Sequence, residues 1–131
     1  MIFLDTNILS YYLIDDTKIK VELRNRIRNN ELICTTIINV YEILRGFKWK
    51  NNPKKETLFR SFLDNLKIFS IDDEAVEIAS EIYSNQRKKG ENIEDADILI
   101  AAIVLANNGI LITNNTKHFQ QIEGLNIENW V

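Results

Sequence analysis

The chain is short of the residues that interrupt or staple a fold. Its 131 residues include only 4 Gly, 1 Pro, 1 Cys and 1 His. So few glycines and prolines exclude a collagen-like or low-complexity polymer and leave no stretch that reads as a flexible linker. A lone cysteine cannot close an internal disulfide, which fits a reducing compartment and a cytoplasmic location. Cys34, in the apolar stretch Leu32-Ile33-Cys34, reads as a small core residue. With Cys34 and His118 as the only soft or nitrogen ligands, a zinc centre is not expected. The longest apolar run, Ile98 to Ala106, has nine residues, whereas a membrane span needs about 20. No basic segment precedes the first apolar residues and Asp5 interrupts them, so neither a signal peptide nor a membrane segment is expected.

What is present is the composition of an ordered globular protein, 45% hydrophobic and 27% charged. The length suits a single domain spanning residues 1–131, able to bury a sizeable core. The net charge of -3 is unevenly spread: residues 1–60 hold 11 Lys/Arg against 7 Asp/Glu, and residues 61–131 hold 5 against 12. A basic half beside an acidic half would let a polyanion approach while carboxylates hold cations. The plainer reading is that Lys18, Lys20, Arg24, Arg26 and Arg28 form the solvated face of a helix.

Short apolar segments read as strands at Ile2–Leu4, Leu32–Thr35, Ile68–Ile71 and Ile110–Thr113, with a weaker fifth at Leu125–Ile127. Helical patterns fill the gaps. Ile19, Leu23 and Ile27 form one stripe, and Val40, Tyr41, Leu44 and Phe47 a second. Pro53 opens a third helix carrying Leu58, Phe59, Phe62, Leu63 and Leu66. Asp72 and Asp73 are candidate N-caps of a fourth, which carries Val76, Ala79, Ile82 and Tyr83 and ends near Gly90. A fifth runs from about Glu94 to Asn107, closed by Asn108-Gly109. Strands alternating with helices predict an α/β fold, a sandwich around a central, mainly parallel sheet of four to five strands.

Four places carry oxygen-rich side chains. Asp5 follows the first strand in Ile2-Phe3-Leu4-Asp5-Thr6-Asn7, Glu42 lies in the second helical stripe, Asp95 and Asp97 open the fifth helix, and Asn115 follows the fourth strand. Each has a local explanation: Asp5 as a cap, Glu42 as a partner for Arg45 one turn on, the two aspartates as acids favoured by the helix dipole, Asn115 as a turn residue. Together they say more. Ligands bind outside the carboxyl ends of parallel strands, where Asp5 and Asn115 end their strands and Asp97 begins its helix. Carboxylates brought together there repel one another unless a cation intervenes, and hard ions such as Mg²⁺ or Mn²⁺ take oxygen ligands. Asp95 stands roughly 200° around the helix from Asp97 and cannot point the same way.

These motifs, in this order and spacing, resemble a PIN-domain protein of the VapC type, a toxin ribonuclease of toxin–antitoxin pairs. The resemblance rests on Leu4-Asp5-Thr6-Asn7, Glu42 with Gly46 four residues on, Asp97 leading into Ile100-Ala101-Ala102, Thr113-Asn114-Asn115 with His118-Phe119 behind it, and Gly124-Leu125. It implies a PIN-like three-layer sandwich and a metal-dependent endoribonuclease. It makes Asp5, Glu42, Asp97 and Asn115 the catalytic set, Asp5 and Asp97 the direct ligands of Mg²⁺ or Mn²⁺, and Thr6, Arg45, Asp95 and Thr113 supporting residues. Asn115 stands where many relatives carry a fourth acid, so a second metal has one charge fewer to hold it. Glu42 or Asp5 would position the attacking water, and His118 takes a structural role. The resemblance also implies an RNA substrate, a cognate antitoxin and a homodimer, with Tyr11, Tyr12 and Trp49 as candidate interface anchors. The alternative is a catalytically silent module of the same fold that binds RNA or a protein partner.

Overall fold

The first strand sets the architecture. Ile2–Leu4 forms β1, and all three residues are buried. Side chains along a strand alternate between faces, so an apolar run without alternation needs cover on both sides. The computed structural model, which describes residues 1–131, supplies that cover. Phe3 joins a core built from α5 (Asp73–Lys88) and α6 (Asp95–Ala106). Ile2 and Leu4 join the opposite core, built from α1 (Thr6–Leu13), α2 (Thr17–Arg28), α3 (Ile37–Trp49) and α4 (Pro53–Leu63). Cys34 is fully buried on the Phe3 side, and burial pushes its thiol up to about 11, as expected of an inert core residue.

The sheet adds β2 (Ile33–Thr36), β3 (Lys67–Phe69), β4 (Ile110–Ile112) and β5 (Asn126–Glu128) in the order β3-β2-β1-β4-β5. Every pairing is parallel. The expected three-layer α/β sandwich is therefore present, with all five strands and no antiparallel member. Connections leave β1 toward β2 on one side and return at β4 on the other. The crevice outside the carboxyl ends of β1 and β4 is thus the topological switch point where such sheets bind ligands.

Several boundaries differ from expectation by one or two residues. β2 and β5 each run one residue later, because register pairs Ile2 with Ile33 and Ile112 with Glu128. β3 ends at Phe69 rather than Ile71, as the edge strand pairs on one side only. A one-turn helix, α7 (Thr116–Phe119), follows β4 and was too short to show a period. Asp72 caps α5 as expected, its carboxylate accepting from Ala75 N at 2.8 Å.

Scarce glycine is offset at the helix ends by Asn and Asp. Asp15, Asn30, Asn51 and Asn108 adopt positive φ, as does Gly90. Each is followed by a residue whose N–H reaches back five positions: Asp16 to Tyr11, Glu31 to Arg26, Asn52 to Phe47, Gly109 to Val104 and Glu91 to Gln86. This is the Schellman closure, which satisfies carbonyls at a helix terminus and needs a left-handed residue that Asn tolerates. In Asn108-Gly109 it is therefore Asn108 that turns the chain. Gly109 serves another purpose: a Cβ there would lie 2.4 and 2.6 Å from ring carbons of Phe3.

Phe3 is fully buried and packs against Phe69 at 5.1 Å between ring centroids, so it has little room to yield. Gly109→Ala should lower unfolding free energy by about 1–3 kcal/mol, the usual range for overpacking. Urea denaturation would measure it, and an unchanged midpoint would show that the ring moves freely.

Candidate active site

Asp5 is the residue at which the strand edge becomes chemistry. Its backbone N–H bonds Ile112 O at 2.9 Å, tying β1 to β4, and it stands at the N-cap position of α1. Its side chain makes no cap bond there. Instead Oδ2 accepts from Thr113 Oγ1 at 2.7 Å, and Oδ1 accepts from Asn39 Nδ2 at 2.9 Å. The carboxylate is only 3% exposed. Burial raises its pKa, opposed by the bonds from Thr113, the Thr6 backbone and Asn39, while Glu42 adds to the rise.

Asn39 was missed by sequence reading. It sits in the first turn of α3, fully buried, and its amide organises the pocket. Its Oδ1 accepts from Thr36 Oγ1 at 2.7 Å, which fixes the amide's orientation, and Nδ2 also lies 3.0 Å from Thr6 Oγ1. Thr6 in turn donates to Glu42 Oε1 at 2.7 Å. The chain of donors runs one way, from Thr36 through Asn39 and Thr6 to Glu42. The available signal was an asparagine one residue before a helical apolar stripe and three residues after Thr36, the spacing of a helix cap. Asn7, part of the opening motif but given no role of its own, accepts at Oδ1 from Asn114 N at 3.1 Å and pins the β4 turn to α1.

Asp97 enters from the first turn of α6. Its pKa is pushed up to about 6, first by burial, then by the charges of Asp5 and Glu42, with His118 pulling the other way. Asp5, Thr6, Glu42, Asp97 and Asn115 line one open cleft of about 530 Å³, joined by Asn7, Ser10, Tyr11 and Ile14. The four places singled out in the sequence thus meet, Asp95 excepted. Asp95 is exposed and lines a separate hollow beside Tyr83 and Leu99. Arg45 is 3.7 Å from Glu42 and stacks over Tyr41. His118 is exposed rather than packed, with Nδ1 3.6 Å from Asp97 Oδ2. Among the candidate anchors, Tyr12 stacks on Phe62 at 4.1 Å, while Trp49 is 89% exposed.

The donor set is entirely oxygen near the cleft floor. No three acids or imidazoles converge tightly enough to form a closed protein cage for an ion. That suits Mg²⁺, which keeps several waters and commonly takes only one or two carboxylates besides substrate phosphate. Asp5 and Asp97, each raised by a neighbouring carboxylate, are the pair that a hard cation would relieve.

Comparison with known proteins agrees with the fold. The family model described as PIN domain matches residues 2–125. Ribonuclease VapC2 of Rickettsia felis is 30% identical over 97% of this chain and 96% of its own length. Ribonuclease VapC1 of Methanocaldococcus jannaschii is 32% identical over 82% of this chain and 79% of its own. Among solved structures, VapBC2 from Rickettsia felis bound to a promoter DNA fragment has a TM-score of 0.93, at 29% identity and full coverage of both chains. VapBC-1 from nontypeable Haemophilus influenzae follows at 0.87, with 26% identity over 99% and 98% of the two chains. The chain belongs to the PIN-domain family, with VapC ribonucleases as its relatives.

Proposed function

We propose that residues 1–131 act as one domain, a divalent-cation-dependent endoribonuclease serving as the toxin of a toxin–antitoxin pair in the cytoplasm. The observation that carries this reading is the pairing of a buried Asp5 with Asp97 at the sheet's switch point. The names of the relatives support the nuclease class, and the VapBC complexes among similar structures support a protein antitoxin. A homodimer is part of the same proposal.

Asp5 and Asp97 would hold Mg²⁺ or Mn²⁺, which when bound offsets charge on the scissile phosphate and makes a bound water more acidic. The chain's own groups do the positioning. Thr113 and Asn39 occupy one lone pair on each Asp5 oxygen, so that carboxylate is held in one orientation. Glu42 is the better candidate to take a proton from the attacking water. It is less buried than Asp5, and the Thr6 hydroxyl keeps it an acceptor. Asn115 lends an amide oxygen and no charge, which favours one tightly held cation over two.

Asp5→Asn and Asp97→Asn should each remove Mn²⁺ binding in titration calorimetry. RNA cleavage should fall by more than the about 100-fold expected for loss of an outer-shell partner. Equal residual cleavage by the wild type and both variants would point to contamination and to a silent module.

Asn39→Ala should cost about 10–100-fold in activity or cation affinity, because it frees Asp5 and Thr6 at once. A fully active variant would reduce Asn39 to packing.

The raised Asp97 also predicts a pH effect. In the metal-free protein the folded state binds the proton more tightly than the unfolded state. Stability is therefore greatest below the ordinary carboxylate range and falls as pH rises from about 4 through about 6. The change is at most about 3 kcal/mol. Thermal melts between pH 4 and 7 should show that decline, and it should shrink in Asp97→Asn to the part contributed by Asp5, whose pKa burial also raises. A flat profile in the wild type would contradict the coupling.

A further inference from the structure

Gly46 lies inside α3, yet nothing in the chain calls for a glycine there. Its φ is not in the left-handed region, and a Cβ built on it meets nothing within 4 Å. Glycine weakens a helix interior more than any residue except proline. The space above Gly46 is a hollow of about 280 Å³ between α1 and the α3–α4 turn, close to the roughly 300 Å³ at which ligand pockets begin. It shares Thr6, Ser10, Ile14 and Glu42 with the acidic cleft, so the two form one groove.

Lys50 and Lys55 stand in the wall of that hollow. Several neighbouring cations are engaged, Lys48 and Arg60 with Glu56, Arg45 with Glu42 and Lys20 with Asp15, whereas Lys54 is unpaired but lies outside the hollow. Lys50 and Lys55 have no carboxylate partner. A cleft lined with carboxylates repels the polyanion it is to cut, so attraction has to come from cations a short way along the strand. Ile14 and Phe47 give the hollow an apolar wall, the kind of surface on which an unpaired nucleobase rests.

We propose that this groove is the track for single-stranded RNA flanking the cleaved phosphodiester. A flanking phosphate meets Lys50 and Lys55, and the adjoining nucleoside lies over Gly46 against Ile14 and Phe47. The assignment rests on the nuclease reading and deepens it.

Fluorescence anisotropy with a labelled single-stranded RNA in EDTA, where no cation supports cleavage, reads the track directly. Lys50→Gln/Lys55→Gln should bind about tenfold more weakly, with a log–log salt slope shallower by about 1.4, the counterion release of two single-strand contacts. Gly46→Leu should weaken binding similarly while raising the melting temperature, a combination that lost structure would not produce. Lys18→Gln/Lys54→Gln, which removes equal charge outside the hollow, should bind as the wild type does. Absence of RNA binding by the wild type, or equal binding by all four proteins, overturns the proposal. So does Gly46→Leu losing only affinity for a peptide partner, which would make the groove a protein site. If the track variants lose RNA binding but the wild type cleaves nothing with Mg²⁺ or Mn²⁺, the track stands and the nuclease reading falls. If cleavage is intact in every variant and RNA binding is unmoved, the reverse holds.

Discussion

The constraint behind most of this structure is the burial of a carboxylate, Asp5, at the end of the central strand with a second acid, Asp97, close by. Burial in a low-dielectric interior disfavours charge, and a neighbouring carboxylate disfavours it further. The fold answers with donors rather than with a cationic side chain. Thr113 and Asn39 bond the two Asp5 oxygens, and the guanidinium of Arg45 pairs with Glu42 instead. An arginine against Asp5 would neutralise it permanently. Neutral donors hold the carboxylate in place and leave its charge to be balanced from outside the chain.

Those donors depend on the sheet. Thr113 directly follows β4 and Asp5 directly follows β1, and the parallel register that pairs Leu4 with Ile112 brings them together. Asn39 arrives because Thr36, the last residue of β2, caps α3 and returns the helix over the same edge. Three adjacent strands therefore each contribute one polar terminus. A shift of register in any of them would separate the groups and leave a buried carboxylate short of donors, at about 1–3 kcal/mol or more for each charged group left unsatisfied. Gly109 protects that register by letting the chain pass against Phe3, two residues from Asp5.

This also explains what could and could not be read from the chain alone. Ile2-Phe3-Leu4-Asp5 was legible because an apolar run that stops at an acid is a one-dimensional pattern, and so was the α6 start at Asp95 and Asp97. Asn39 and Thr36 were not. A buried amide is set apart from a surface amide only by its partners, and those come from residues 34 and 33 positions away in Asp5 and Thr6. Asp95 shows the opposite case: helical geometry turned it away from Asp97, the resemblance kept it as a supporting residue, and the structure places it in a separate hollow with Tyr83. Strand ends shifted by a residue because pairing, not hydrophobicity, decides where a short strand stops.

Glycine usage separates geometry from space in the same chain. At helix ends, where left-handed backbone is needed, Asp15, Asn30, Asn51 and Asn108 stand in for glycine, each with a short polar side chain that tolerates that region. Gly109 and Gly46 are kept in ordinary backbone, one pressed against Phe3 and one facing empty volume. A close approach inside the core excuses Gly109. For Gly46, retaining about 1 kcal/mol of helix penalty with nothing packed above it fits the proposed use of the vacant volume. That volume opens onto Glu42 and the acidic cleft and is bounded by two unpaired lysines. Of the basic surplus in the first half of the chain, Lys20 and Arg26 of α2 are engaged in ion pairs, Lys18, Arg24 and Arg28 of the same helix are not, and Lys50 and Lys55 are the unpaired cations that stand beside the groove.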